Sequence, residues 1–222
     1  ENISHEIRTP LNAIVGFTKL LESSDLSPND QHEYHQAIYI SSNQLLNLLE
    51  RILDLSAIQG GEFKLSYQIV DLNKLFEQFH YLYSQRLQHF NKAQHIRVYY
   101  QKAPQNTVFR SDWVAVEKIF TNLMENAVKF TSEGTISFGC KTITEDYADF
   151  FVSDSGMGIS KENQELIFHA FNRADPSPGA GGLGIGLSLT RQLIALLQGE
   201  LHFQSKPDEG TVFHFRLPNG TS

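Results

Sequence analysis

The sequence predicts an α+β fold in two parts, an N-terminal helical hairpin followed by an α/β sandwich. Two observations lead there. Over the first sixty residues, apolar side chains recur at spacings of three, four and seven, which is the period of a helix seam. After Gly60-Gly61 the pattern changes to helices mixed with alternating strands, without the regular βαβ repeat of a parallel sheet. The expected boundary therefore gives residues 1–60 as the hairpin and 61–222 as the sandwich.

The first helix spans 1–22, with Ile3, Ile7, Leu11, Ile14 and Leu21 on one stripe. His5 falls off that stripe and faces solvent, and Thr9, one turn on, shares its face. Pro10 removes a backbone donor and is expected to kink the helix. Residues 23–30 (SSDLSPND) are a polar turn. A second helix follows over 31–59, with Ile38, Leu45 and Ile52 heptad spaced and Leu48, Leu49 and Leu55 in the same seam. Two antiparallel helices cannot bury both stripes alone, so the hairpin is expected to pair with a second copy as a four-helix bundle.

Beyond the glycines, residues 63–66 are extended and Asp71 can cap a helix running to Phe90. Strands are expected at 96–101 and 107–110, and Asp112 then caps a helix to Phe130. Residues 134–144 and 147–154 alternate as a hairpin. A short helix at 161–168, a Pro- and Gly-rich lid at 175–182, a helix at 184–198 and strands at 200–205 and 211–217 complete the chain. These elements predict one largely antiparallel sheet with helices on one face.

Composition narrows the function. A net charge of -7 argues against a nucleic-acid surface built on phosphate neutralisation. One cysteine, Cys140, excludes an internal disulfide and a Cys-rich zinc site. No apolar run approaches the roughly 20 residues that span a bilayer, so no membrane contact is expected of these residues. The chain starts inside a helical pattern without a cap, which reads as a piece of a longer protein. His32 and His35 lie three apart with no third ligand near them in sequence, and read as a solvated face.

Three segments carry chemistry. Asn122 and Asn126, four apart, project from one helical face, where an amide oxygen suits a hard cation such as Mg²⁺. Lys129 lies one turn on, within reach of a phosphate. Asp154 ends a strand before Gly156 and Gly158, placed to accept a hydrogen bond from an exocyclic amine beside a tight turn. Residues 179–187 (GAGGLGIGL) satisfy G-x-G-x-x-G, but two prolines precede them where a dinucleotide fold needs an apolar strand. They also miss the P-loop, because Leu187 stands at its lysine position. What remains is a set of glycine amides feeding a helix N-terminus, an anion cradle.

In order along the chain, His5-Glu6-Ile7-Arg8-Thr9-Pro10, Asn122–Phe130, Asp154–Ile159, Phe168–Phe171 and Gly181–Leu187 resemble the H, N, first glycine, F and second glycine boxes of sensor histidine kinases. The resemblance implies a Bergerat-type ATP-binding fold, shared with gyrase, a heat-shock chaperone and a mismatch-repair protein. It implies ATP and Mg²⁺ as ligands, a homodimer through the N-terminal helices, a response-regulator receiver domain as partner, and a cytoplasmic position within a longer, membrane-anchored sensor. By the same resemblance His5 attacks the γ-phosphate, Glu6 orients its ring, and Thr9 serves a phosphatase step on the partner. Asn126 holds Mg²⁺ with support from Asn122, Asp154 reads adenine, and Gly156 and Gly158 let the chain approach the base. Gly182, Gly184 and Gly186 surround the phosphates, with Lys129 and Arg173 as further phosphate contacts. Val15, Thr18, Lys19 and Glu22 fall where partner recognition is expected. Leu183 replaces the usual threonine of the second glycine box, and Ser155 a threonine of the first.

Two other readings remain open from sequence. One is a dimerising phosphatase with weak kinase activity. The other is an ATP-driven clamp, against which stands Asn122, where the resembling clamp ATPases carry a catalytic glutamate.

Overall fold

The computed structural model describes residues 2–23, 26–89, 94–105, 107–170 and 184–220. Two long helices come first, α1 (Asn2–Leu21) and α2 (Pro28–Gln59). The Ser27 hydroxyl caps α2 by accepting the Asp30 amide at 3.1 Å, with Pro28 at the first helical position. The helix therefore starts three residues before the expected point. α1 runs unbroken through Pro10, which is buried.

The second part contains β1 (Tyr67–Ile69), α3 (Leu72–His89), β2 (Ile96–Gln101), β3 (Arg110–Asp112), α4 (Trp113–Phe130), β4 (Gly134–Ile143) and β5 (Tyr147–Asp154). It continues with α5 (Lys161–Gln164), α6 (Gly186–Leu196), β6 (Glu200–Lys206) and β7 (Gly210–Pro218). Five strands form the main sheet in the order β2-β4-β5-β7-β6, in which only the β2–β4 pairing is parallel. β1 and β3 make a separate two-stranded antiparallel sheet.

Three expectations shift. The strand expected at 107–110 lies at Arg110–Asp112, because its ladder is set by Tyr67–Ile69 rather than by local alternation. The helix expected over 184–198 is shorter, Gly186–Leu196, while residues 63–66 lead into β1. The helix expected over 161–168 ends at Gln164 and passes into turns, with Leu166 and Ile167 amides both bonded to the Asn163 carbonyl. The lid at 175–182 lies outside the described residues.

The core lies between the sheet and α3, α4 and α6. In α4, Val116, Ile119, Phe120, Leu123, Met124 and Ala127 recur at helical spacing and are all buried. On the sheet, Phe138, Phe150 and Phe215 point inward from adjacent strands. Phe120 packs on all three at ring-centroid distances of 6.3, 5.8 and 5.2 Å. Asp112 does double duty: Oδ1 caps α4 by accepting the Ala115 amide at 2.7 Å, and Oδ2 takes the Ser66 amide at 2.7 Å.

The apolar face of α2 divides in two. Leu55 is buried in the core of the second part, and Leu48, Ile52 and Ile58 pack against that core. Leu49, by contrast, is exposed, so the expected single seam does not hold. Tyr39, Leu46, Leu49 and Leu53, spaced seven, three and four apart, form a second stripe exposed by 70, 57, 42 and 67%. Among the described residues no helix is long and apolar enough to cross a membrane.

Candidate active site

His5 lies in the first turns of α1, and its side chain is exposed. Ile3, two residues before it, is partly buried against the core cluster that includes Leu55 of α2. Thr9 is exposed on the same face, and its hydroxyl donates to the His5 carbonyl at 3.2 Å. Glu6 is half-buried. The sequence thus reads this face correctly: an imidazole offered to solvent, a carboxylate beside it and a hydroxyl one turn on.

α4 presents the two asparagines. Asn122 is only 5% exposed, and its amide nitrogen has no hydrogen-bond partner. A buried amide hydrogen left unpaired costs about 1–3 kcal/mol, so this one marks a place where something else can bind. Asn126, one turn later, is half-buried. Lys129 is exposed, with Nζ 4.7 Å from the centre of the Phe130 ring.

The loop from Asp154 to Ile159 is fixed by contacts with its own chain. Asp154 Oδ1 accepts the Gly156 amide at 2.9 Å, and burial holds its carboxyl above the usual carboxylate range. A methyl group on Gly156 would lie 2.4 Å from the Phe130 carbonyl oxygen. On Gly158, which has φ +65°, it would lie 1.9 Å from the Lys206 carbonyl oxygen. These glycines are therefore demanded by backbone–backbone approach. Sequence reasoning assigned them to closeness with a base, but the close neighbours here are the C-terminal end of α4 and the end of β6. The Ile159 amide bonds to Ser205 Oγ at 2.8 Å, and Gln164 Nε2 bonds to the Ile159 and Ser205 carbonyls, which pins the loop to β6.

The helix fed by glycines is α6. Gly184 has φ +67°, Ile185 precedes the helix without a side-chain cap, and Gly186 is its first residue. Its first amides are left for a ligand or solvent. A methyl group placed on Gly186 would sit 3.7 Å from Asn122 Oδ1 and 4.0 Å from Arg51 Nη1, so the opening of α6, the buried amide and a guanidinium meet here. Gly182 and Arg173 lie outside the described residues. The structure thus brings Asn122 and Gly186 together on one side of α4. His5 sits on the hairpin.

Sequence reasoning missed Arg51. Its guanidinium is ion-paired to Glu125, which also receives Arg86 at 3.5 Å, and Asp54 is ion-paired to Lys118. The signal was present as complementary charge, Arg51 and Asp54 on one helix and Glu125 and Lys118 on the other. Nothing in either segment says that those helices dock.

Residues 111–221 match the family described as histidine kinase-, DNA gyrase B-, and HSP90-like ATPase, and residues 1–61 match the His kinase A phospho-acceptor domain. The chain belongs to the sensor histidine kinases. Its relatives agree. It is 36% identical over 222 residues to the sensor protein GacS of Pseudomonas syringae pv. syringae, covering 97% of this chain and 24% of that protein. It is 31% identical over 225 residues to the signal transduction histidine-protein kinase BarA of Escherichia coli K12, with the same two coverages, 97% and 24%. The crystal structure of full-length ShkA in complex with AMPPNP superposes with a TM-score of 0.75 at 27% identity, covering 99% of this chain and 45% of that one. The chain thus spans about a quarter of the length of the curated relatives it matches.

As a member of the sensor histidine kinases, the chain places their ATP-binding fold C-terminal to their phospho-acceptor hairpin. The unpaired Asn122 amide and the uncapped start of α6 lie in that ATP-binding part.

Proposed function

We propose that this chain is the autophosphorylating kinase portion of a two-component sensor, divided near Gly60 into a phospho-acceptor hairpin (1–60) and a catalytic ATP-binding domain (61–222). The γ-phosphoryl group of ATP passes to His5 and then to an aspartate of a response-regulator receiver domain. A neutral imidazole nitrogen is nucleophilic near pH 7, and Glu6 accepts the hydrogen bond of the other ring nitrogen, fixing the tautomer and stabilising the cation that forms. The observation that carries this reading is Asn122. An amide stands where the resembling clamp ATPases need a carboxylate to activate water, so the carboxylate next to a nucleophile is Glu6, beside an exposed imidazole.

In the nucleotide site, Asp154 accepts the adenine amino group, and Gly184 and Gly186 with the first amides of α6 receive the phosphates. Lys129 adds a cation. Phosphoryl transfer asks mainly for positioning and charge neutralisation, and these groups supply both. Asn126 would hold Mg²⁺. Its amide oxygen is a hard donor, and no group of three His, Cys, Asp or Glu side chains suited to a metal exists among the described residues. That donor set fits an ion which keeps water and phosphate as its other ligands.

The exposed Tyr39–Leu53 stripe of α2, with Leu11 exposed on α1, supports a homodimer that buries them. Val15, Thr18, Lys19 and Glu22 are all exposed along α1 beyond His5, which supports their role in receiver recognition.

Incubation with γ-labelled ATP and Mg²⁺ tests the reading. The expected product is acid-labile, alkali-stable label, absent from His5→Ala and Asn126→Ala. Label that persists in His5→Ala overturns the acceptor assignment.

A further inference from the structure

Arg51 belongs to the hairpin, yet its guanidinium is at the opening of α6. Nη2 is ion-paired to Glu125, while Nη1 lies 4.0 Å from the point a methyl on Gly186 would occupy. Asn122 Oδ1 lies 3.7 Å from that same point, and the Asn122 amide nitrogen is buried without a partner. The Arg51 side chain is 30% exposed, so the guanidinium is partly desolvated. Glu125 is shared between Arg51 and Arg86, so two cations and one carboxylate leave the cluster with an excess positive charge. The positive end of α6, where Ile185 supplies no side-chain cap, adds to it. This positive, uncapped helix start beside an unpaired buried amide calls for an anion.

We propose that Arg51 is a phosphate-binding residue of the nucleotide site, contributed by the hairpin rather than by the catalytic domain. The inference rests on the ATP-binding reading above and extends it. The guanidinium fork presents donors in fixed directions and can hold a carboxylate through one nitrogen and a phosphate oxygen through the other. Glu125 holds the fork at rest; the polyphosphate engages its free edge. Adenosine recognition at Asp154 does not involve the hairpin, whereas phosphate recognition does. Nucleotide occupancy and hairpin docking are then coupled, and by linkage each strengthens the other.

The test is calorimetric titration of the full chain with ATP and with AMP, in wild type, Arg51→Gln, Arg51→Lys and Glu125→Gln. A charge-assisted hydrogen bond to a desolvated group is worth about a factor of ten or more in affinity. Arg51→Gln is expected to reduce the ATP-over-AMP affinity ratio by about that factor, and Arg51→Lys to recover part of it. Glu125→Gln breaks the same ion pair but keeps the guanidinium, so its ratio is expected to equal or exceed that of wild type. An unchanged ratio in Arg51→Gln overturns the proposal. So does an equal fall in Glu125→Gln, which would reduce Arg51 to a docking contact. A wild-type chain that binds neither nucleotide sinks the ATP reading itself, whereas wild-type preference for ATP that survives Arg51→Gln sinks this inference alone.

Discussion

Asp54 of α2 and Lys118 of α4 form an ion pair that ties the hairpin to the catalytic domain, next to the buried side chain of Leu55. The two contacts differ in strength. The carboxylate and ammonium are 19 and 32% exposed, and pairs of that exposure contribute about 0.2–1 kcal/mol. Leu55 is 6% exposed and part of the core, where truncation to alanine costs about 2–5 kcal/mol. Urea unfolding is therefore expected to show a small loss in Lys118→Ala and a loss several times larger in Leu55→Ala. Equal losses would mean that the ion pair, not the apolar contact, holds the hairpin in place.

The Asn122 amide makes a second prediction. Its nitrogen gains no hydrogen bond within the described fold, so Asn122→Ala removes an unsatisfied group and leaves only a small cavity. Stability is expected to change by about 1 kcal/mol or less, while affinity for an ATP analogue falls at least about ten-fold. Thermal unfolding and fluorescence titration of the same preparation check both halves. A large drop in melting temperature would assign Asn122 to the core instead.

Much of this was legible in the sequence, for reasons that are local. The alternation of β4, β5 and β7 and the helical spacing of α4 announce their buried faces residue by residue, and Asp71 and Asp112 sit where a cap is needed. Asp71 indeed accepts the Lys74 amide at 3.0 Å. What escaped was set by distant partners. The position of β3 follows from β1 forty residues earlier, roughly the separation at which local pattern carries no register information. Leu55 looked like a hairpin seam residue because apolar periodicity names a face but not its neighbour. Arg51 and Glu125, 74 residues apart, were not singled out for the same reason.

The glycines Gly156, Gly158 and Gly186 separate by their surroundings. Alanine at Gly158 would place its methyl 1.9 Å from the Lys206 carbonyl oxygen at φ +65°, and at Gly156 it would lie 2.4 Å from the Phe130 carbonyl oxygen. Both substitutions force backbone apart, and each is expected to destabilise by about 2 kcal/mol or more. Alanine at Gly186 meets nothing closer than 3.7 Å among the described residues, so the fold is expected to tolerate it. Any loss of nucleotide affinity in Gly186→Ala is then a direct effect at the opening of α6. Denaturation midpoints distinguish the cases; a Gly186→Ala chain as unstable as Gly158→Ala would contradict this division.

Asp154 gives stability a pH dependence of known sign. Burial raises its carboxyl above the ordinary range, against the opposing hydrogen bond from the Gly156 amide. A group raised in the folded state binds its proton more tightly there than when unfolded. Its favourable contribution is full below the unfolded value and is lost as pH rises through the raised folded value. At neutral pH the buried carboxylate is therefore a net cost to the fold, one that the proposed adenine recognition would explain. Asp154→Asn keeps an acceptor for the Gly156 amide and removes the charge. It is expected to be more stable than wild type at pH 7, with the difference shrinking as pH falls from the raised value toward the ordinary carboxylate value. Urea unfolding of both proteins across that range measures it. A gap that widens on acidification would reverse the sign and place the charged carboxylate among the stabilising groups of the fold.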